Sequence, residues 1–229
     1  MKKIAQLLAG FAVLLTMSIA NAQDGGIQLS TSRLVIDEGN KAISYGVTNH
    51  YSLPVLASAV VTTYEGKPTS AFTASPSLYQ IQPKTTAQGK VIQLENIPLD
   101  KESVFWLNVK TIVANSNEKN RSEGGSLGFA IAQRIKVFYR PKGLNENCHS
   151  SADNLIWKKT KNGIKAINNS KISVSIVEIK SGKEMKNISD TLLPGNEKEW
   201  KVMFKTAEKL EFKYIDEYGN YIDKEIIFK

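Results

Sequence analysis

Hydrophobic and polar residues alternate in short runs along most of the chain, and turn-forming residues separate these runs. Alternation with a period of two is typical of strands that bury one face. The β-rich runs before position 140 are residues 34–36, 43–47, 55–64, 91–94 and 104–113. Gly, Pro, Asn and Lys interrupt them at residues 38–40, 65–68 and 82–84. Because no window shows a sustained helical period, the pattern predicts an all-β fold built as an antiparallel sandwich.

One of these runs, residues 104–113, shows the alternation most clearly. Phe105, Leu107, Val109 and Val113 are apolar and occupy one face together with Thr111. The opposite face mixes Trp106 with polar residues. We therefore expect a strand with one fully buried face.

The alternation stops after position 139, where Pro, Gly and polar residues follow one another. It resumes on a smaller scale at residues 172–176, with turn sequences at 193–196 and 218–220. A chain of 229 residues is long for one sandwich and sufficient for two of about 100 residues. We predict an N-terminal domain over residues 23–143 and a C-terminal domain over residues 144–229.

The N-terminus has the pattern of a secretory signal peptide. Lys2 and Lys3 precede an apolar run over residues 4–20, which ends in the small-residue sequence Ala20-Asn21-Ala22. A membrane anchor needs about 20 apolar residues and usually a basic flank after them, whereas Gln23 and Asp24 follow here. We therefore predict that residues 1–22 are removed after Ala22 and that the mature chain is exported.

Charge and composition exclude several classes of function. Without Lys2 and Lys3 of the predicted signal peptide the formal net charge falls from +8 to +6, and it divides evenly between residues 23–150 and 151–229, which argues against a dedicated nucleic-acid face. Cys148 is the only cysteine, so the chain has no intramolecular disulfide. Two histidines and one cysteine without clustered ligand spacing support neither a metal site nor a cofactor.

The segment 127–139 alternates for longer than any other. Every second residue, from Leu127 through Phe129 and Ile131 to Tyr139, belongs to one face that is mostly apolar. At about 3.3 Å per residue its 13 residues span about 43 Å, roughly twice the length of a usual strand. The pattern alone supports a long buried core strand and a partly open edge strand equally.

Several motifs occur in an order that resembles a known family. Residues 133–141 read QRIKVFYRP, residues 31–35 read TSRLV, residues 102–109 read ESVFWLNV, and residues 214–219 read YIDEYG. Together they are similar to the motifs of the periplasmic pilus (fimbrial) assembly chaperones. The resemblance covers essentially the whole mature chain. It implies two immunoglobulin-like β-sandwich domains set at an angle, like a boomerang, that bind pilus subunits in the periplasm and deliver them to an outer-membrane usher.

The resemblance also implies a binding site for the subunit. Arg33 and Lys136 would bind the subunit's C-terminal carboxylate in the cleft between the domains, where charge-assisted hydrogen bonds are strongest. Leu127, Phe129 and Ile131 would enter the groove that a missing strand leaves in the subunit, which is the donor-strand mode. Such alternating side chains fit that groove in one register only.

Both candidate cations lie on faces that are otherwise apolar. In the predicted first strand Arg33 shares a face with Ile27, Leu29 and Val35, and in the long strand Lys136 shares a face with Phe138. Without the resemblance, a salt bridge at the rim of a domain would be the more common explanation of each charge.

The family further implies an ion-pair network between the domains. Here it would use Glu102, Arg140 and an acid of the terminal hairpin. Asp216-Glu217 replaces the usual Asn-Asp of that hairpin, so Glu217 aligns with the acid, and the choice between the two stays open. The loop 114–126 is short and no cysteine pair flanks it, which resembles the short-loop subclass of the family.

Two other classes of function match single features of the sequence. Residues 124–128 read GGSLG and formally fit a hydrolase nucleophile motif, but Ser126 leads into a strand instead of a helix, and the only downstream histidine, His149, lies in the predicted linker. An enzyme is therefore not expected. An exported pilus subunit or adhesin is the alternative, but two domains and a single cysteine favour the chaperone.

Overall fold

The computed structural model describes residues 25–113, 130–204 and 209–228 and consists mainly of strands. The first group comprises β1 (Ile27–Leu29), β2 (Arg33–Asp37), β3 (Ala42–Asn49), β4 (Val55–Thr63), β5 (Phe72–Ser75), β6 (Leu78–Ile81), β7 (Thr86–Gln93), β8 (Ser103–Val113) and β9 (Ala130–Arg140). The second comprises a short helix, α1 (Cys148–Asp153), and the strands β10 (Ile156–Thr160), β11 (Gly163–Ile167), β12 (Val174–Ser181), β13 (Glu184–Leu192), β14 (Glu197–Trp200), β15 (Leu210–Ile215) and β16 (Tyr221–Glu225).

The strands form two pairs of sheets. Sheets β1-β3-β7-β5 and β2-β9-β8-β4-β6 enclose the first core, and sheets β10-β11-β14 and β13-β12-β15-β16 enclose the second. The two cores are separate: Val47, Leu107 and Val137 belong to the first, and Ile176 and Phe212 to the second. The predicted all-β class with two β-sandwiches is confirmed. The predicted domain limits, 23–143 and 144–229, stay predictions, and the predicted signal peptide lies outside the described residues.

Strand β8 buries the face that its sequence indicates. Leu107, Val109 and Thr111 are buried, and Phe105 and Val113, nearer the ends of the strand, are half-buried. Burial therefore follows the period of two that the apolar residues show.

The expectation that Arg33 shares a strand with Ile27 and Leu29 is wrong. β1 pairs with β3 in one sheet, whereas β2 pairs with β9 in the other, so the chain changes sheets at residues 30–32. Side chains stabilise the crossing: the Thr31 hydroxyl donates to the Arg33 carbonyl at 2.7 Å, and Gly46 N–H donates to Ser30 Oγ at 2.8 Å. Ser and Thr side chains bond to the backbone in this way where a regular ladder is interrupted.

The sequence pattern also missed helix α1. It has six residues, too few to show a helical period, and Asn147 begins it with a capping box that involves Ser150. No helix among the described residues is long and apolar enough to cross a membrane.

Candidate functional site

Strand β9 is paired on both sides only in its C-terminal part. On one side β8 pairs with residues 130–139, and on the other side β2 pairs with residues 136–140. The side of β9 that faces β2 is therefore unpaired over residues 130–135 within the described structure. An unpaired edge presents a row of N–H and C=O groups to which another strand can bond. The C-terminal part of β9 is therefore a paired core strand, and its N-terminal part is an open edge strand. Both alternatives that the sequence pattern supported thus apply, each to a different part of the strand.

The odd-numbered face of β9 changes its environment along the strand. Ile135, Val137 and Tyr139 are buried in the first core, whereas Ile131 is half-buried. Ala130 and Ala132, on the other face, are exposed. The apolar face of β9 thus packs inside the sandwich at Ile135, Val137 and Tyr139 and reaches the edge of the sandwich at Ile131. The other two candidate donor residues, Leu127 and Phe129, lie outside the described residues, as does Ser126.

Arg33 and Lys136 are brought together where the open edge ends. They are paired in register across β2 and β9. Lys136 Nζ donates to Ser175 Oγ at 3.3 Å, and Arg33 Nη1 donates to the Ile215 carbonyl at 3.1 Å. Because Ser175 and Ile215 belong to the second sandwich, both cations lie between the two sandwiches. The crossing of the chain at residues 30–32 is what places Arg33 there.

Burial disfavours the charge on both of these cations. Burial lowers the pKa of Lys136 to about 8, and the positive charge of Arg33 acts in the same direction, while Asp190 opposes it. Burial also lowers the pKa of Arg33. The Arg33 guanidinium lies over the Phe138 ring, 5.6 Å from its centroid, and its Nε has no hydrogen-bond partner among the described residues. Two neighbouring cations in a desolvated place form a site that favours an anion.

Trp106 is a site residue that sequence reasoning did not select. It is the register partner of Lys136 on β8, and its ring lies 5.6 Å from Lys136 Nζ and 3.8 Å from Arg134 Cζ. The signal in the sequence was a tryptophan on the mixed face of β8, but nothing in the sequence shows which cations stand opposite it. Ser175 was also missed, because it belongs to the other sandwich.

A second group of site residues joins the two sandwiches through charge. Arg140 Nη2 lies 2.9 Å from Glu102 Oε2, and Arg140 Nη1 lies 3.4 Å from Glu217 Oε1. The other oxygen of Glu102 accepts from Ser173 N–H at 3.0 Å, and Glu102 N–H donates to the Lys171 carbonyl at 2.9 Å. These bonds link the start of β8 to the segment before β12, so they hold the two sandwiches in a defined relative position.

Asp216 has a different structural role from Glu217. Its carboxylate accepts from the N–H groups of Tyr218 and Asn220 at 2.9 and 2.8 Å, and from the Asn220 side chain at 3.0 Å. It therefore organises the turn between β15 and β16, while Glu217 contacts Arg140. Between the two acids that the sequence left open, the structure places Glu217 against the arginine.

Burial of the Glu102–Arg140 pair affects both groups. Burial raises the pKa of the Glu102 carboxyl, although Arg140 and Ser173 act against it. Burial acts to lower the pKa of Arg140, but the Glu102 carboxylate outweighs this and the pKa is raised. Arg140 therefore stays charged, and its charge offsets the cost of the buried carboxylate.

Cys148 lies near the same junction but does not belong to this group of ion pairs. It is buried, and its Sγ is 3.6 Å from the Ile215 carbonyl. Burial raises the pKa of its thiol to about 12, so the thiol stays protonated at neutral pH. In the part of the chain that the structure describes, no group of three or more His, Cys, Asp or Glu residues could hold a metal ion.

Comparison with known proteins places both sandwiches in one family. Residues 26–145 match the family model described as "Pili and flagellar-assembly chaperone, PapD N-terminal domain", and residues 150–226 match "Pili assembly chaperone PapD, C-terminal domain". These matches cover more than half of the chain.

Curated relatives agree with the family models. The chaperone protein FocC of Escherichia coli is 30% identical over 195 residues, which are 84% of this chain and 83% of the relative. The chaperone protein FimC of Escherichia coli K12 is 27% identical over 217 residues, which are 93% of this chain and 88% of the relative.

Solved structures share the fold. The E. coli chaperone DraB superimposes with a TM-score of 0.77 at 20% identity, over 90% of this chain and 97% of DraB. A Salmonella enterica structure of the SafA pilin in complex with the SafB chaperone gives a TM-score of 0.75 at 18% identity, over 88% of this chain and 96% of the matched chain.

Proposed function

The chain belongs to the family of pili-assembly chaperones, and on this premise we propose that it captures pilus subunits by adding strand β9 to them. It is a fimbrial chaperone, as its relatives are. The proposal concerns how it holds a subunit and which residues do so. One observation carries it: the unpaired edge of β9 ends at two neighbouring cations, the buried Arg33 and the half-buried Lys136.

The open edge supplies the first part of the proposed interaction. A strand of the subunit pairs with residues 130–135, and main-chain hydrogen bonds provide affinity independent of the subunit's sequence. Ile131, together with Leu127 and Phe129 in the preceding segment, enters the groove of the incomplete subunit. Each buried side chain contributes about 1.5–3 kcal/mol before ordering costs.

The cation pair supplies the second part. Arg33 and Lys136 bind the C-terminal carboxylate of the subunit. Its oxygens accept the hydrogen bonds that these two desolvated charges no longer make to water. Because the pair stands at the end of the open edge, the carboxylate determines the register of the subunit strand. A slip by one residue would turn the apolar side chains away from the groove.

The proposed route of the protein follows from the same premise. We expect export after cleavage behind Ala22, capture of subunits in the periplasm, and transfer to an outer-membrane usher. The Glu102–Arg140–Glu217 network keeps the two sandwiches in the relative position that the cleft requires. Relatives known as chaperones, and family matches to both sandwiches, favour this function over a pilus subunit or adhesin.

The direct test is co-expression with a candidate subunit and purification through a tag on the chaperone. The wild-type protein should retain the subunit. Deletion of the subunit's last residue should abolish retention, because a carboxylate that stays anchored would then turn the apolar side chains away from the groove. Equal retention of the truncated subunit would overturn the carboxylate anchor while leaving strand addition in place.

A further inference from the structure

Three cations on β2 and β9 form no ion pair with an acid among the described residues. They are Arg33, Arg134 and Lys136. The ion pairs found among the described residues use other cations, namely Arg140, Lys165, Lys180, Lys198, Lys209, Lys213 and Lys224. Like charges in one place repel one another, so something other than a carboxylate must hold these side chains in position.

An aromatic ring, that of Trp106, holds two of these cations, Arg134 and Lys136. Arg134 and Lys136 are two residues apart on β9, so they project from the same face. Trp106 pairs in register with Lys136 and lies diagonally from Arg134, which pairs with Asn108. The Arg134 guanidinium lies 3.8 Å and the Lys136 ammonium 5.6 Å from the centroid of the indole ring. Both separations are within the range of a cation–π interaction.

Tyr64 holds the indole itself through two contacts. Trp106 Nε1 donates to the Tyr64 carbonyl at 3.0 Å, and the Tyr64 ring stacks on the indole at a centroid distance of 5.8 Å and an interplanar angle of 14°. The Tyr64 hydroxyl is 3.5 Å from the Thr191 carbonyl of the second sandwich. A hydrogen bond and a stacked ring thus restrict the orientation of Trp106.

We propose that Trp106 is the positioning residue of the carboxylate anchor, because its ring holds Lys136 and Arg134 in place without neutralising their charges. An acidic side chain in the same position would also hold the cations, but it would compete with the incoming carboxylate. A ring quadrupole attracts a cation and leaves its full charge available to an anion. This role rests on the proposed function, since it matters only where an anion binds.

The test measures the titration of Lys136 in the free, full-length mature protein. Lysines are labelled by reductive ¹³C-methylation, which keeps their charge, and the Lys136 signal is assigned by its loss in Lys136→Arg. Trp106→Leu keeps an apolar side chain but removes the π face. We expect its Lys136 midpoint to fall by about half a pH unit or more, and that of Trp106→Phe to lie between the two.

A matched control is Val60→Ala, which trims an exposed apolar side chain on β4, a strand that β8 separates from β9. It should leave the midpoint unchanged. A midpoint in Trp106→Leu that stays at the wild-type value or rises would show that the indole only fills space, and would overturn the proposal. If Trp106→Leu does not fold, Trp106→Phe decides alone, and a wild-type midpoint in that variant has the same meaning.

A second measurement separates this role from the proposed function. A synthetic peptide of alternating Val and Thr with a free C-terminal carboxylate should raise the Lys136 midpoint, whereas the same peptide with a C-terminal amide should not. Trp106→Leu should bind the carboxylate peptide about two- to fivefold more weakly. If neither peptide affects the wild-type protein, the carboxylate anchor fails, while the midpoints of the free variants still decide the role of Trp106.

Discussion

Arg33 and Lys136 are register partners in a parallel strand pair, although 103 positions (136 − 33) separate them in the chain. Each also donates a hydrogen bond to the second sandwich, Arg33 to Ile215 and Lys136 to Ser175. The pair therefore depends on four separate strands, β2, β9, β12 and β15. It stands where the paired part of β9 meets the open edge.

Removing either cation should abolish capture without unfolding the protein. In Arg33→Ala and Lys136→Ala one charge-assisted bond to the subunit carboxylate is lost, and we expect at least a tenfold weaker interaction. The measurement is the yield of a co-expressed subunit purified with the tagged chaperone. Lys110→Ala, which removes an exposed lysine from β8, should bind as the wild type does. Wild-type yield with Arg33→Ala or Lys136→Ala would contradict the anchor.

The two faces of the open edge should respond differently to a charge. Ile131→Asp places a carboxylate on the face that enters the subunit groove, so capture should be lost, whereas Ala132→Asp alters the exposed face next to it. Co-purification gives the binding and thermal unfolding gives the stability. We expect both variants to unfold within a few degrees of the wild type. Loss of folding in Ile131→Asp would instead identify Ile131 as a core residue, and Phe129→Asp is the corresponding test at the neighbouring position.

Capture should weaken as the pH rises through about 8. Burial and Arg33 bring the pKa of Lys136 to about 8, with Arg134 acting in the same direction and Asp190 opposing it, so the ammonium loses its proton above that pH. Affinity measured between pH 6.5 and 9 should fall by up to tenfold per unit at the upper end. Lys136→Arg keeps its charge over this window, and its affinity should stay flat. A wild-type affinity that does not change would exclude Lys136 as the pH-dependent group.

The same pKa predicts the opposite trend for stability. The ordinary pKa of a lysine is 10.5, so the unfolded chain binds more protons than the folded one between about pH 8 and 10.5. The contribution of Lys136 to the free energy of unfolding must then rise with pH in this range. Lys136→Met removes the buried charge and should raise the urea midpoint at pH 7. A lower midpoint would show that the Trp106 and Ser175 contacts outweigh the cost of burial.

The junction between the sandwiches should depend on Glu102 far more than on Glu217. Glu102→Ala leaves the partly buried Arg140 without its nearer partner and should lower the free energy of unfolding by about 3–5 kcal/mol. Glu217→Ala removes a longer contact and should cost about 1 kcal/mol or less. Glu197→Ala, which breaks a surface pair with Lys165, should leave the free energy of unfolding nearly unchanged. Urea denaturation measures all three, and equal losses for Glu102 and Glu217 would contradict the assignment.

Local periodicity was sufficient for much of the fold. The period of two in residues 104–113 predicted which face of β8 is buried, because burial on a pleated strand follows alternation directly. The same rule failed for the first strand, where Ser30 and Thr31 redirect the backbone and the chain changes sheets. It could not detect helix α1 either, since six residues are too few to show a period.

The sequence by itself determined the class of the protein: alternating short runs in two groups, motifs in a family order, and one long two-faced strand. Only the tertiary structure decided how these parts meet. It placed Arg33 beside Lys136, Glu217 and not Asp216 against Arg140, and Trp106 under two cations. Alternation is a local property that each strand carries in its own residues. Pairing between distant strands depends on packing of the whole chain, and no single segment encodes it.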